Sequence, residues 1–190
     1  MTIREVLINI RERLQNAGIE DFEYESWAFL DWKLHINRAE FYMNPNGEVK
    51  EELLAELESV LKQREQRVPL QYLMGECEFM GYDFYVDERV LIPRQDTECL
   101  VELAVEDIRN IKTQNRCESN NTADRKNEQK VKVLDLCTGS GCIGISVAKL
   151  CPDTEVTLAD ISEGALSVAK KNAQNLDAGC LLYTSPSPRD

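Results

Sequence analysis

The residues best suited to chemistry in this sequence lie between Val131 and Asp160. The apolar run VKVLDL is followed by the glycine-rich segment CTGSGCIG and then by ISVAKL, a pattern that predicts a buried strand, a tight loop and a helix. Gly139, Gly141 and Gly144 mark positions where a side chain would block a close approach to the backbone. Because the loop precedes a helix, its N–H groups would lie at a helix N-terminus, where a small polar ligand can bind.

Two aspartates flank this loop and restrict the kind of ligand. Asp135 lies four residues before the first glycine, at the end of the predicted strand. A carboxylate in this position would repel a pyrophosphate but would attract a ligand that carries an ammonium or sulfonium group. Asp160 ends the second predicted strand, EVTLADIS, where a carboxylate can accept hydrogen bonds from both ribose hydroxyls. The pair favours a cationic nucleoside ligand, although the G-x-G-x-x-G spacing also fits a dinucleotide.

A purely structural role for these residues is the alternative. The glycines could form a tight turn without any ligand, and Asp160, which precedes Ser162 and Glu163, could cap a helix. Each residue taken alone is open to this interpretation. The combination of a glycine loop with two carboxylates at strand ends favours a ligand site.

Composition argues against several other kinds of site. The 190-residue chain has 34 acidic and 22 basic residues, and its net charge of −12 opposes direct binding to nucleic acid. The single histidine, His35, lies in the apolar stretch SWAFLDWKLHI, where we expect a partly buried structural side chain. Neither histidine-based acid–base catalysis nor a metal site is therefore predicted.

The cysteines and the apolar runs indicate the compartment. The seven cysteines are scattered and form no C-x-x-C pair, which predicts reduced thiols. No apolar run reaches membrane-spanning length, and the amphipathic N-terminus is unlike a signal peptide. We expect a cytoplasmic protein that does not bind a membrane.

Helical periodicity dominates the N-terminal part of the chain. Apolar residues recur at helical spacing in residues 3–17, 24–36, 38–43 and 48–67, and the turn signal NPNG separates the last two ranges. These four helices predict a small bundle. A short turn of helix is expected between Pro69 and Gly75.

The pattern then changes to alternation. Residues 76–91, ECEFMGYDFYVDERVL, alternate apolar and polar side chains and predict a β-hairpin that connects the bundle to the following domain. Pro93 ends the strand, and a helix follows with Asp96 or Thr97 as its cap and an apolar stripe from Leu100 to Ile108. The pattern alone favours a well-capped helix over a lid on the ligand pocket.

The C-terminal part of the sequence predicts half of a larger sheet. Residues 112–130 are almost entirely polar and predict a mobile loop. The order strand, glycine loop, helix, strand and helix up to Leu176 predicts the first half of a parallel, doubly wound α/β sheet. Two strands cannot cover both faces of such a sheet, so we expect an incomplete domain.

The last eleven residues, CLLYTSPSPRD, require a different interpretation. Their Ser/Pro pattern continues neither strand nor helix. They resemble the read-through translation of a sequencing-library transposase adapter. We therefore expect Cys180–Asp190 to be a non-native tail, which is excluded from functional reasoning.

Three segments together resemble a known family. RVPLQYLMGECEFMGYDFYVDERVLIPRQDTECLVE, followed by VLDLCTGSGCIGISVAK and EVTLADIS, closely resembles the release-factor glutamine methyltransferases, the PrmC/HemK family. The resemblance implies an α + α/β chain: an N-terminal helical bundle, a β-hairpin linker and the first half of a Rossmann-like class I methyltransferase domain. The corresponding boundaries are residues 1–75, 76–92 and 93–179, followed by the tail at 180–190.

This resemblance also implies a function and a set of site residues. The family transfers a methyl group from S-adenosyl-L-methionine to the side-chain nitrogen of the glutamine in the Gly-Gly-Gln motif of peptide chain release factors. Its helical domain recognises the release factor. The motif positions that would bind the cofactor are Asp135, Thr138, Gly139, Ser140 and Gly141 in the loop, Asp160 at the ribose, and Arg94 and Thr97 in the segment over the pocket.

Two departures from the family pattern limit these expectations. Gln95 stands where the family usually has proline. The family's Asn-Pro-Pro-Tyr motif, which grips the substrate amide, has no counterpart in the sequence, so no catalytic residue is predicted. We expect residues 1–190 to be inactive and to bind the cofactor weakly if at all.

Other functions stay open at this point. One is an adenine-N6 nucleic-acid methyltransferase, since those enzymes share the Asn-Pro-Pro-Tyr motif. Another is a non-catalytic protein-binding module formed by the bundle. An NAD-dependent dehydrogenase is the least favoured, because Asp135 opposes a pyrophosphate and no histidine follows the loop.

Overall fold

The computed structural model of the protein describes residues 1–118 and 130–184. The chain divides into two compact units, Met1–Met74 and Gly75–Asp190, which we call the helical unit and the sheet unit. Within the described ranges, no helix combines the length and the apolar character needed to cross a membrane.

The helical unit consists of the predicted helices. Their bounds are α1 at Ile3–Asn16, α2 at Phe22–Leu34, α3 at Arg38–Met43, α4 at Glu51–Glu65 and α5 at Leu70–Met74. The prediction of an N-terminal helical bundle is confirmed, with α4 shorter at both ends than the predicted range.

Helix α1 shows how the sequence specifies this unit. It begins with a capping box, in which Thr2 Oγ1 accepts a hydrogen bond from the Glu5 N–H at 3.3 Å and Glu5 Oε2 accepts one from the Thr2 N–H at 2.8 Å. Four side chains of its apolar stripe, Ile3, Val6, Ile10 and Leu14, lie in one core with residues of α2 and α4. The buried side chains of the stripe are Ile3, Val6, Leu7, Ile10 and Leu14.

His35 differs from the expectation in one respect. Its side chain is exposed, not partly buried. The residue has a left-handed φ of 55°, and its N–H donates to the Asp31 carbonyl at 3.0 Å, so it forms the C-terminal cap of α2. It contributes to the end of α2 through its backbone and not through a partly buried side chain.

One ion pair is enclosed in the helical unit. Glu25 of α2 is buried, and Arg64 of α4 binds both of its carboxylate oxygens, with Nε–Oε2 and Nη2–Oε1 distances of 2.7 and 2.9 Å. This two-point contact pairs the buried charge and fixes α4 against α2.

The sheet unit begins with the hairpin. Its elements are β1 at Glu76–Phe79, β2 at Tyr82–Tyr85, a 3-10 helix at Gln95–Thr97, α6 at Glu98–Glu118, β3 at Val131–Leu136, α7 at Cys142–Leu150, β4 at Thr154–Asp160, α8 at Glu163–Asn175 and β5 at Cys180–Thr184. Strands β1 and β2 pair antiparallel, which confirms a hairpin, but its second strand ends at Tyr85 and does not continue to Leu91 as predicted. Phe79 and Phe84 lie in the core of the sheet unit, so the hairpin belongs to this unit.

The parallel sheet has the order β3-β4-β5, one strand more than predicted. The prediction that the tail continues neither strand nor helix is wrong for Cys180–Thr184, which pairs in parallel with β4 from Val156–Cys180 to Asp160–Thr184. The segment CLLYT is apolar enough to add to the exposed edge of β4, and the Ser/Pro signal begins only after it. Residues 185–190 of the predicted tail lie outside the described residues.

Helix α6 also departs from the prediction at both ends. The predicted loop at 112–130 begins too early, because the helix continues to Glu118; residues 119–129 of that loop lie outside the described residues. Asp96 and Thr97, the predicted caps, lie in the 3-10 helix that leads directly into α6. Of the predicted stripe, Leu100 is exposed and Ala104 is partly buried, whereas Val101, Val105 and Ile108 are buried.

All three helices of this unit pack on one face of the sheet. Val156 and Leu158 of β4 lie in the same core cluster as buried residues of α6, α7 and α8. The opposite face exposes apolar side chains of β3 and β5, with relative accessibilities of 58% for Leu134, 62% for Leu136, 57% for Leu181 and 59% for Tyr183. No helix of the described residues covers that face.

We predict that Arg64→Ala lowers the free energy of unfolding of the helical unit by about 3 kcal/mol, because it leaves the buried Glu25 carboxylate without its partner. Urea unfolding followed by tryptophan fluorescence measures this, since both tryptophans, Trp27 and Trp32, lie in α2. Lys62→Ala is the matched control on the same helix, since it removes an exposed pair with Glu58 and should change stability little. Equal losses in the two variants would contradict the prediction.

Candidate functional site

The predicted loop connects β3 to α7 and lies at the carboxyl ends of two parallel strands. Its backbone is joined to β4, because the Thr138 N–H donates to the Ala159 carbonyl at 3.1 Å. The Gly141 N–H then closes the turn by donating to the Thr138 carbonyl at 2.8 Å. The loop is therefore a tight turn fixed to the neighbouring strand, in the place where parallel sheets bind ligands.

Asp135 is buried at the base of this loop. Its Oδ2 accepts hydrogen bonds from the Thr138 hydroxyl at 2.6 Å and from the Gly144 N–H, in the first turn of α7, at 3.0 Å. One oxygen thus holds the loop and caps the helix. Oδ1 has no hydrogen bond to any described residue, so its acceptor positions are unused there.

The pKa of Asp135 lies above its usual value. Burial is the main cause, and the nearby charge of Asp160 adds to it, while the hydrogen bonds from Thr138 and Gly144 oppose the shift. The ionised carboxylate is therefore poorly compensated by the protein. A cation beside it would supply the missing compensation.

The Asp160 carboxylate accepts backbone hydrogen bonds from two loops. Its Oδ2 accepts from the Gly139 N–H at 2.9 Å, and its Oδ1 accepts from the Ser162 N–H at 2.9 Å. The cap of α8 is Ser162, whose hydroxyl accepts from the Ala165 N–H at 3.2 Å, so Asp160 is not the helix cap. Since each carboxylate oxygen has two lone pairs, Asp160 still has acceptor positions for hydroxyl groups of a ligand.

The glycines of the motif serve two different purposes. Gly139 has a left-handed φ of 56°, and a Cβ there would meet no atom within 4 Å, so its backbone is open to a ligand. At Gly144, a Cβ would lie 2.3 Å from Leu158 Cδ2 and 3.0 Å from Asp135 Oδ2. Gly144 therefore permits close packing of α7 on β4. Of these two glycines, Gly139 is the one whose backbone a ligand could approach, as expected from the sequence.

Three further residues, two connected to the loop by hydrogen bonds through Asn172 and one directly following Asp160, were not predicted from the sequence. Asn172 of α8 is fully buried and donates to the Ser140 carbonyl at 2.8 Å. Tyr85 of β2 bonds to the same amide. Ile161, which follows Asp160, is an exposed apolar side chain at the end of β4. The position of Ile161 directly after Asp160 could have indicated it from the sequence. Nothing in the sequence indicated the long-range hydrogen bonds of Asn172 to Tyr85 and Ser140.

The structure does not join Arg94 and Thr97 to the loop. Their segment is attached to the hairpin, because Glu98 Oε1 accepts from the Met80 N–H at 2.6 Å and the Cys77 thiol lies 3.6 Å from the Pro93 carbonyl. Within residues 1–118 and 130–184, neither residue forms a hydrogen bond or salt bridge with the loop. Their contact with a cofactor stays a prediction.

Of the predicted site residues, the structure brings together Asp135, Thr138, Gly139, Ser140, Gly141 and Asp160, and their binding of a cofactor stays a prediction. Two carboxylates and an open glycine at a helix N-terminus suit a ligand with both a cationic group and vicinal hydroxyls. The described part of the chain has no group of three or more histidine, cysteine, aspartate or glutamate side chains that could hold a metal ion.

Comparison with protein families gives two matches. The family model described as the PrmC N-terminal domain matches residues 5–75, and the one described as the methyltransferase small domain matches residues 121–185.

Curated relatives match nearly the whole chain. The release factor glutamine methyltransferase of Clostridium acetobutylicum is 37% identical over 177 residues, which are 93% of this chain and 56% of the relative. That of Geobacter sulfurreducens is 35% identical over 182 residues, with coverage of 96% and 57%. That of Streptococcus pneumoniae is 37% identical over 186 residues, with coverage of 97% and 60%. The chain thus spans little more than half the length of the relatives it matches.

Solved structures give more distant similarities. A Pyrococcus abyssi tRNA (uracil-54, C5)-methyltransferase in complex with S-adenosyl-L-homocysteine is 17% identical with a TM-score of 0.42, and the match covers 58% of this chain and 23% of that chain. A coclaurine N-methyltransferase is 13% identical with a TM-score of 0.36, and the match covers 97% and 46%.

We predict that Gly144→Ala lowers the stability of the sheet unit by about 2 kcal/mol, because the added methyl overlaps Leu158. Gly139→Ala should cost only about 1 kcal/mol, since the left-handed backbone is strained but no atom is overlapped. Native-state hydrogen exchange at the amides of β4 measures both changes without interference from the helical unit. A larger loss for Gly139→Ala than for Gly144→Ala would contradict this assignment.

Proposed function

We propose that the chain belongs to the release factor glutamine methyltransferase family and that the intact protein methylates, with S-adenosyl-L-methionine, the glutamine of the Gly-Gly-Gln motif in peptide chain release factors. The observation that carries the proposal is the carboxylate-flanked glycine loop, within a chain that aligns along almost its whole length with these relatives. The helical unit is the proposed contact for the release factor.

The residues of the loop fit this cofactor. S-Adenosyl-L-methionine, when bound, supplies a methyl group on a sulfonium and also carries an ammonium group and a ribose. Asp135 Oδ1 is the anion for the cationic part, and Asp160 accepts hydrogen bonds from the ribose hydroxyls. Gly139 leaves the loop backbone open, and Ile161 provides an apolar surface for the adenine.

The electrostatics of Asp135 favour a cation over a diphosphate. The ionised carboxylate is costly in its buried position, as its raised pKa indicates. A cationic group beside Oδ1 stabilises the ionised form, whereas a pyrophosphate would add repulsion from both Asp135 and Asp160. For this reason an NAD-dependent reaction is the least favoured of the possible functions.

The substrate half of the reaction needs groups that the chain does not supply. An amide nitrogen is a poor nucleophile because its lone pair is delocalised, so an enzyme must orient it with hydrogen-bond acceptors aimed at its N–H groups. The sequence has no Asn-Pro-Pro-Tyr segment for this task. We therefore expect residues 1–190 to bind the cofactor weakly and to transfer no methyl group by themselves.

A second candidate is a protein-binding role of the helical unit without catalysis. The observation that favours it is that residues Met1–Met74 have their own core. Methylation of an adenine in nucleic acid is less favoured, because the net charge of −12 opposes a phosphate backbone.

One set of experiments on residues 1–190 separates these functions. In two-dimensional NMR titrations, the amides of Gly139 and Ser162 should shift with S-adenosyl-L-homocysteine and not with NAD. A labelled-methyl assay with release factor, RNA and DNA should show no transfer. Shifts with NAD alone, or methyl transfer to RNA or DNA, would overturn the proposal, and binding of release factor without any cofactor shift would favour the protein-binding role.

We predict that Asp135→Asn weakens binding of S-adenosyl-L-methionine about tenfold, because the amide keeps an oxygen for Thr138 and Gly144 but removes the charge. The same variant should be at least as stable as the wild type at pH 7. Titration calorimetry and thermal unfolding measure the two effects. Asp177→Asn, an exposed charge at the other end of α8, is the matched control and should change neither.

The pH dependence of this variant has a definite sign. A raised pKa means that the folded state favours protonated Asp135, so the wild type loses stability relative to Asp135→Asn as the pH rises through that pKa. Below the usual value of 3.8 the two proteins should converge. Unchanged ligand binding by Asp135→Asn at neutral pH would instead mean that Asp135 only holds the loop.

A further inference from the structure

Asn172 is a polar side chain in the apolar face of α8. It is fully buried, and its neighbours on that face are Val168, Ala169 and Ala173. A buried amide is unfavourable unless it is hydrogen-bonded. Asn172 forms three hydrogen bonds, so its position in the core depends on the groups that it binds.

The three hydrogen bonds fix the orientation of the amide. Oδ1 accepts from the Tyr85 N–H at 2.7 Å, and Nδ2 donates to the Tyr85 carbonyl at 2.9 Å and to the Ser140 carbonyl at 2.8 Å. The reversed orientation would place the oxygen against two carbonyls and the NH₂ group against an N–H. Asn172 therefore acts on Tyr85 as a neighbouring strand would, and it binds the glycine loop at the same time.

Tyr85 is the point where the hairpin is attached to α8. Besides its two backbone bonds to Asn172, its ring lies under the Lys171 ammonium, 3.0 Å from Nζ to the ring centroid. Its hydroxyl donates to Asp87 Oδ2 at 2.8 Å. Two adjacent residues of α8 thus contact Tyr85, and of these two Asn172 also binds the loop.

The orientation of the loop backbone depends on the Ser140 carbonyl. This carbonyl and the Gly141 N–H belong to the same peptide group. That N–H closes the turn by donating to the Thr138 carbonyl. Gly139 and Gly141 on either side have positive φ values and little intrinsic preference for one conformation. The Gly141 N–H holds this peptide from one side, and the bond from Asn172 Nδ2 holds it through the carbonyl, so the two hydrogen bonds together select one orientation.

We propose that Asn172 is a positioning residue that holds the Ser140–Gly141 peptide in its ligand-binding orientation and couples it to the hairpin through Tyr85. The inference rests on the proposed cofactor role of the loop. Ordering of the loop by a ligand is transmitted through one amide to β2. The same amide makes the ligand affinity dependent on the attachment of the hairpin.

The test compares variants of residues 1–190 by amide NMR. Asn172→Ala removes all three bonds; we expect exchange of the Tyr85 N–H to rise about tenfold or more and the Gly139 and Gly141 amide signals to shift. Asn172→Asp keeps the acceptor for the Tyr85 N–H but loses both donors, so it should shift the loop signals with a smaller effect on Tyr85.

Two controls distinguish positioning from simple destabilisation. Val105→Ala removes buried side-chain volume from the same core without touching the loop, and it should leave the loop signals unchanged at a comparable loss of stability. Asn175→Ala changes an exposed asparagine at the end of the same helix and should alter neither the loop nor Tyr85. Loop shifts of equal size in Val105→Ala and Asn172→Ala would overturn the inference.

A measurement without variants covers the case in which Asn172→Ala does not fold. In the wild type, saturating S-adenosyl-L-homocysteine should slow exchange of the Tyr85 N–H several-fold, although Tyr85 belongs to the hairpin. Ligand-induced loop shifts without any change at Tyr85 would contradict the coupling. If this ligand does not affect the loop but Asn172→Ala still perturbs both loop and Tyr85, the positioning role stands and the proposed cofactor fails.

Discussion

The buried carboxylate of Asp135 determines the geometry of the site. It accepts from a hydroxyl in the loop and from an N–H in the first turn of α7, so the loop and the helix meet at one oxygen atom. Thr138 and Gly144 are needed for this: the first supplies the hydroxyl, and the second lets the helix approach Leu158 closely enough for its N–H to reach. The elements around the site are arranged to hold a charge that the protein does not fully neutralise.

In the helical unit, paired carboxylates have pKa values shifted in the opposite direction to that of Asp135. Arg13 binds Glu58 and Glu65, and the pKa values of both glutamates are lowered, chiefly by their hydrogen bonds to its guanidinium. This contribution to stability is present above the usual glutamate value of 4.5 and is lost as the pH falls through the lowered values. Burial of Asp135 has the reverse sign, since it costs most at higher pH. Paired charges stabilise one unit, whereas the incompletely paired charge of Asp135 in the other unit is what the proposed binding of a cationic ligand would use.

Local patterns were sufficient to predict the helices, the hairpin and the glycine loop, because these depend on periodicity and on residues within one turn. They failed where the outcome depends on distant partners. Cys180–Thr184 becomes a strand because β4 offers a free edge, and the turn residues that follow it masked this possibility. Asn172 forms hydrogen bonds with Tyr85, which lies 87 residues earlier. The helical periodicity therefore shows it only as a polar residue within an apolar stripe. His35 was misplaced because its contribution comes from a left-handed backbone and not from its ring.

The position of Asp135 in the sheet limits what the described residues can do. In a doubly wound sheet the ligand crevice lies beside the strand at which the order of strands reverses, and neighbours on both sides form its walls. Strand β3, which carries Asp135, pairs with β4 alone in the described residues, and Leu134 and Leu136 beside it are exposed. One wall of such a crevice, formed by Asp160 and the loop, is therefore defined. For the proposed reaction, a group that orients an amide nitrogen would have to come from the side of β3 away from β4, so the described residues carry the proposed binding of the cofactor but not the proposed catalysis.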